Sequence, residues 1–161
     1  MLRLSKKADY ALIAMKHLAL SQGGAVSVSA REIAEQYDIP IELMAKVLQR
    51  LVRSGLLVST QGTRGGYTLR RPSASISVAD VIQAIDGPFT VTACSTENND
   101  CEQYSKCSIR DPLWQIRERI AAALGTVSVA ELAADHNKGD GMRADAETVA
   151  APVAIMRRAN V

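Results

Sequence analysis

The stretch Ser29-Ala-Arg-Glu-Ile-Ala-Glu-Gln-Tyr-Asp-Ile-Pro40-Ile-Glu-Leu-Met-Ala-Lys-Val-Leu-Gln-Arg-Leu-Val-Arg-Ser-Gly55 reads as two helices divided by a tight turn. Ser29 and Glu32 occupy the two positions of a capping box, in which each side chain meets the other residue's backbone N–H. The short helix that follows places Ile33, Ala34 and Tyr37 on an inward face. Asp38-Ile39-Pro40 breaks it, and Pro40 suits the first turn of the next helix, where a missing N–H costs nothing. That second helix runs to about Ser54, with Leu43, Val47, Leu48 and Leu51 on one side and Lys46, Gln49, Arg50 and Arg53 on the other. Gly55 ends it as a C-terminal glycine. A short helix, a tight turn and a second helix with a basic outer face make a helix-turn-helix.

Before this unit, Ser5 caps a helix running to about Leu20, with Tyr10, Ala11, Ala14, Met15 and Leu18 on its apolar face. After it, Leu56-Leu-Val-Ser-Thr60 and Tyr67-Thr-Leu69 read as strands joined by Gln61-Gly-Thr-Arg-Gly-Gly66, a hairpin of the kind that forms a wing. Arg64 lies between glycines at its tip, where neighbours without side chains permit close approach to a groove or a phosphate. Ser77-Val-Ala-Asp80 opens a further helix through about Ile85 with Val78, Val81, Ile82 and Ile85 buried, and Asp86-Gly87-Pro88 stops it. From Asp111 as cap, with Pro112 in the first turn, a long helix carries Leu113, Ile116, Ile120 and Leu124 at intervals of three or four, with Trp114 beside them. Such a stripe packs on its own domain or joins two subunits, and a pseudo-palindromic operator favours the second. Ser128-Val-Ala-Glu131 is a second capping box, opening a last short helix to about Asp135, after which periodicity is lost.

The fold class expected is therefore mainly α: a winged helix-turn-helix over residues 1–86, a cysteine segment over 87–110, a dimerisation helix with a short final helix over 111–135, and a disordered tail over 136–161. Charge follows this division. Residues 1–71 hold eleven Lys/Arg against five Asp/Glu, and the remaining ninety hold eight against twelve, so a basic half precedes an acidic one. That asymmetry suits contact between the first half and a polyanion. No apolar run approaches a membrane span and no signal peptide is visible, so a cytoplasmic protein with reduced thiols and no membrane partner is expected.

All three cysteines fall in Cys94-Ser-Thr-Glu-Asn-Asn-Asp-Cys101-Glu-Gln-Tyr-Ser-Lys-Cys107, with six residues between the first pair and five between the second. Three thiols cannot all pair within one chain, and their polar neighbours argue against buried structural cysteines. Zinc sites usually show a Cys-x-x-Cys pair, absent here, and His17 and His136 are distant in sequence. An iron–sulfur cluster uses mainly thiolates and tolerates wider loops. The spacing leaves a cluster, zinc and redox thiols all open. An enzyme of thiol chemistry is disfavoured by the lack of a paired base, a glycine-rich phosphate loop or convergent carboxylates.

Leu4-Ser-Lys-Lys-Ala-Asp-Tyr-Ala11, Tyr37-Asp-Ile-Pro40, Gly62-Thr-Arg-Gly-Gly-Tyr67 and the cysteine segment before a long helix occur in that order. Together, over about residues 1–135, they resemble the Rrf-type winged-helix transcriptional regulators of IscR, NsrR and RirA kind. The Met-Leu-Arg-Leu-Ser start is most similar to regulators of the SUF iron–sulfur assembly operon. The resemblance implies a homodimer on a double-stranded DNA operator, acting as a repressor of cluster assembly genes. It also implies one iron–sulfur cluster per subunit, 2Fe–2S in preference to 4Fe–4S, held by Cys94, Cys101 and Cys107. IscR-like members carry a histidine where this chain has Arg110, whereas NsrR-like members use a first-helix aspartate of the partner subunit, a position matched by Asp9. Asp9 in trans is the expected fourth ligand, with Asp111 as the alternative; an acid near a helix N-terminus is also favoured by the dipole alone. Lys6, Lys7, Arg50, Arg53 and Arg64 are the expected phosphate contacts, and Glu42, Lys46 and Gln49 the base readers. Ala45 replaces an acidic base reader of some relatives, so their operators do not transfer. The competing expectation is a zinc- or thiol-based regulator, responsive to redox or nitric oxide, without a cluster.

Overall fold

The computed structural model describes residues 4–21, 27–62, 65–91 and 104–134. Its elements, in order, are α1 (Lys6–Leu20), α2 (Ala30–Gln36), α3 (Ile41–Arg53), β1 (Leu57–Thr60), β2 (Gly66–Leu69), α4 (Val78–Asp86), α5 (Arg110–Thr126) and α6 (Val129–Ala134). The architecture is the mainly α winged helix expected, with β1 and β2 as an antiparallel hairpin pairing Leu57 with Leu69 and Thr60 with Gly66.

Side-chain caps set the starts of the helices. Ser5, Ser29, Ser77 and Ser128 each accept from the N–H three residues on, at 3.1 Å in every case. At Ser77 and Ser128 the acid three residues later answers, Asp80 and Glu131 accepting from the cap residues' own N–H. The box expected at Ser29 is only half formed, since Glu32 gives its N–H to Ser29 without accepting in return. Each such cap contributes about 1 kcal/mol. Gly55, at φ 76°, closes α3 in the left-handed conformation a side chain resists.

One core holds these helices together. Met15 and Leu18 of α1, Ile33 of α2, and Met44, Leu48 and Leu51 of α3 are fully buried, with Leu57, Ile76 and Val81 beside them. Burying each large side chain stabilises the fold by about 1.5–3 kcal/mol before entropy is charged against it. All four apolar residues expected inward on α4 are buried. Helix α6 packs against α1, and Val129 is fully buried. Two backbone bonds of 2.8 Å fasten the α5–α6 junction to the start of α4: Val78 N–H to the Val127 carbonyl, and Val129 N–H to the Ile76 carbonyl.

Val28 extends the hairpin by a third, minimal strand, exchanging hydrogen bonds of 3.1 and 2.8 Å with Tyr67. The backbones approach so closely that a Cβ on Gly66 would lie 2.6 Å from the Val28 carbonyl oxygen. The glycine is required by this approach rather than by its own φ.

Three local expectations need correction. Tyr37 does not point inward: it caps α2 at the surface, and its hydroxyl lies 3.2 Å from His17 Nδ1 with the rings edge to face. A phenol at a helix end keeps its polar tip in water while its ring covers a neighbour. On α3 the buried stripe runs through Met44 rather than Leu43, which is half-buried. Asp111 is not the cap of α5; the helix begins one residue earlier, at Arg110, with Ile109 as a cap lacking a side-chain bond. Asp111 instead sits in the first turn, where the dipole favours an acid, and pairs with Arg110 at 2.9 Å. The tail over 136–161 lies outside the described residues.

Candidate functional site

Helix α3 is amphipathic, and its outer side sets the site. With Met44, Val47, Leu48 and Leu51 fixed in the core, helical geometry turns Glu42, Lys46, Gln49, Arg50 and Arg53 outward, and all five are exposed. Two hollows flank this ridge. One, of about 460 Å³, lies between the start of α2, α3 and the hairpin, bordered by Ser29, Gln49, Arg53, Thr60, Gln61 and Gly66. The other, of about 240 Å³, has Leu43, Val47 and Ile85 as its floor and Lys7, Lys46, Arg50 and Arg53 among its walls.

The fold thus brings Lys7 of α1 to the same groove as the α3 cations. Lys6 is exposed on the first turn of α1 beside it in sequence. Arg64 lies outside the described residues; the flanking Gly65 N–H donates to the Gly62 carbonyl at 2.9 Å. Four cations around one apolar-floored groove, beside a hairpin, form a surface suited to a polyanionic backbone. Arg50 has a second engagement that its position on the outer face did not reveal: its Nε donates to the Ala84 carbonyl of α4 at 3.1 Å. Sequence offers no signal for a contact of this kind, since it joins residues 34 apart through a backbone oxygen.

Of the expected thiol ligands, Cys94 and Cys101 lie outside the described residues. Cys107 is a free, half-buried thiol, following a 3-10 turn over Tyr104–Lys106 and preceding α5. Asp9 is exposed on the first turn of α1. Asp111, the alternative carboxylate, has one oxygen taken by the Arg110 guanidinium. No group of three metal-ligating side chains occurs among the described residues, which include only one of the three thiols. The donor set of the chain itself fits a soft metal centre in kind, with three thiols in a single segment and no histidine among them.

The entry to the cysteine segment is anchored to α5. Arg117 is mostly covered: its Nε donates to the Phe89 carbonyl at 2.7 Å, its guanidinium lies 4.6 Å from the centre of the Trp114 ring, and Nη1 pairs with Glu118 at 3.0 Å. The remainder of α5 is unlike the other helices, because none of its residues is buried. Ile109, Trp114 and Ile116 stand exposed along it, with Leu113, Ile120 and Leu124 only half-buried.

The family model described as Rrf2, iron-dependent transcriptional regulator, matches residues 4–135. The transcriptional regulator IscR of Xenorhabdus nematophila is 36% identical over 133 residues, covering 81% of this chain and 79% of that one. Among solved structures, IscR of T. potens is similar with a TM-score of 0.66 at 25% identity, covering 86% of this chain and 91% of that one. CymR, the global cysteine regulator of B. subtilis, is similar with a TM-score of 0.64 at 27% identity, covering 83% of this chain and 98% of that one. No described helix is long and apolar enough to cross a membrane.

Proposed function

The chain belongs to the Rrf2 family and is a transcriptional regulator rather than an enzyme; on that premise we propose that it is a homodimeric repressor sensing iron–sulfur status through its three cysteines. The observation that carries the DNA-facing part is the basic groove, in which Lys7, Lys46, Arg50 and Arg53 meet on the exposed side of α3. Lys6, Lys7, Arg50, Arg53 and Arg64 are the cations suited to supply phosphate contacts, which set affinity and orientation. Glu42, Lys46 and Gln49 face the major groove, where donors and acceptors differ for every base pair.

The half-covered stripe of α5 supports the dimer. Ile109, Leu113, Ile116 and Ile120 recur every three or four residues and present apolar surface on a helix with no buried residue. A second copy of α5 covers that stripe and gives two recognition helices the two-fold relation an operator needs. Residues 87–110 act as the sensing segment between the DNA-binding part and α5. Cys94, Cys101 and Cys107 are the ligands of the cluster, 2Fe–2S in type, and Asp9 of the partner subunit reaches it as the fourth. When bound, such a cluster supplies chemistry sensitive to iron supply and oxidants. The Met-Leu-Arg-Leu-Ser start supports cluster assembly genes of the SUF type as targets.

A second reading has its own support. Cys107 is a free, half-buried thiol beside the first turn of α5, and the cysteine regulator CymR is among the similar structures. In this reading the same thiols respond to oxidation directly or hold zinc, and no cluster forms. Anaerobic purification of wild type and Cys101→Ala, with visible spectra and iron, sulfide and zinc analysis, separates the two. Comparable iron and sulfide with charge-transfer bands, both lost in the variant, support the cluster. Colourless, iron-free protein after reconstitution with iron and sulfide rejects it and leaves the thiol or zinc regulator.

A further inference from the structure

We infer that Arg50 and Asp86 act as positioning residues, forming a two-point latch that holds the last turn of α4 against α3 and α1. This rests on the DNA-binding reading and deepens it by reassigning one of its cations.

The last turn of α4 is gripped on two sides. Arg50 Nε, from the centre of the DNA-facing ridge, donates to the Ala84 carbonyl at 3.1 Å. Two residues on, Asp86 takes Ser5 with both carboxylate oxygens: Oδ1 accepts from the Ser5 hydroxyl at 2.6 Å and Oδ2 from the Ser5 N–H at 3.3 Å. An acid at a helix C-terminus is disfavoured by the dipole of its own helix. Asp86 ends α4, yet it lies against the N-terminal cap of α1, where negative charge is favoured. That placement gives it a positional role that an ordinary surface acid lacks. The chain leaves α4 through Gly87, at φ 85°, and reaches Phe89, whose carbonyl is held by Arg117 of α5. The latch therefore stands where the cysteine segment begins, and it connects that point to the recognition helix through one side chain.

A cation on the outer face of a recognition helix is ordinarily a phosphate contact. The two roles predict different salt dependences. Removing a phosphate contact lowers affinity and reduces the magnitude of the salt slope of log K by about 0.9. Removing a positioning bond lowers affinity with the slope unchanged. Asp86 gives a test of sign: deleting an acid from a DNA-binding protein tightens binding if only long-range charge matters, but weakens it if the acid positions α3.

The experiment uses a duplex selected from a random pool by the full-length wild-type chain, with affinity measured across a salt series. Arg50→Gln and Asp86→Ala are each expected to bind roughly three- to tenfold more weakly, the scale of one hydrogen bond, with the wild-type salt slope. Arg50→Lys keeps the cation without the Nε donor and remains weakened. Ser5→Ala combined with Asp86→Ala weakens binding by less than the sum of the two single effects, because the two share the hydroxyl–carboxylate contact. Asp86→Asn serves as the control for folding, since it keeps an acceptor toward Ser5 and retains most of the affinity. A salt slope lowered by about one in Arg50→Gln, rescue by Lys, or tighter binding by Asp86→Ala overturns the latch while leaving DNA binding intact. A wild-type chain that selects no duplex rejects the DNA-binding reading and the latch with it.

Discussion

Helices α3 and α5 are built from similar alternations of apolar and charged residues, and they end in opposite conditions. On α3, Met44, Val47, Leu48 and Leu51 are buried within the chain, and what remains outside is polar and basic. On α5, 17 residues long, nothing is buried, and Ile116 is 45% exposed with Trp114 at 49%. Periodicity alone says that a helix has an apolar face; it does not say which molecule covers it. Among the described residues, the first helix is covered by its own chain and the second keeps its apolar face half-exposed.

Substitutions that sharpen this contrast differ widely in size. Leu48→Ala empties a fully buried site and is expected to cost about 2–5 kcal/mol, read as a drop in the chemical denaturation midpoint with an unchanged slope. Ile116→Asp removes apolar surface that no described neighbour buries, so it is expected to leave secondary structure intact while shifting the protein from dimer to monomer in sedimentation. A monomeric wild type, or a dimeric Ile116→Asp, removes α5 from the proposed interface. The smallest effect belongs to Glu131, whose carboxyl is held below the ordinary carboxylate range by the Ser128 backbone N–H and then by the Ser128 hydroxyl. Its folded pKa is lowered, so its contribution is present above the unfolded value and is lost as pH falls through the folded one. Glu131→Gln should therefore melt slightly below wild type near neutrality, with the gap closing on acidification; a gap independent of pH contradicts a charge-linked cap.

What was legible in the sequence was whatever is encoded locally. Ser5, Ser29, Ser77 and Ser128 each announce a helix that begins at the next residue, and Gly55 marks the end of α3. The inward stripes of α1 and α4 follow from a 3.6-residue period. The errors came where a local signal was ambiguous. Asp111-Pro112 resembles a helix start, but Pro112 is tolerated anywhere in the first turn, and the helix begins at Arg110. Tyr37 shares the period of Ile33, yet it follows the last residue of α2 and turns to His17. What was not legible depends on distance along the chain: the pairing of Val28 with Tyr67, the Ser5–Asp86 clasp and the Arg50 bond to α4. The basic groove lies between these cases, since its α3 cations follow from helical geometry whereas Lys7 joins them only through packing.

The most direct test of the account is the affinity of the wild-type chain for its selected duplex before and after anaerobic reconstitution with iron and sulfide. The proposal predicts a difference of about five- to 150-fold between the two states, the usual range of coupling between two sites. In Cys101→Ala that difference should be absent. Equal wild-type affinities in both states, with iron and sulfide demonstrably bound, would contradict the claim that the cysteine segment controls the recognition helix.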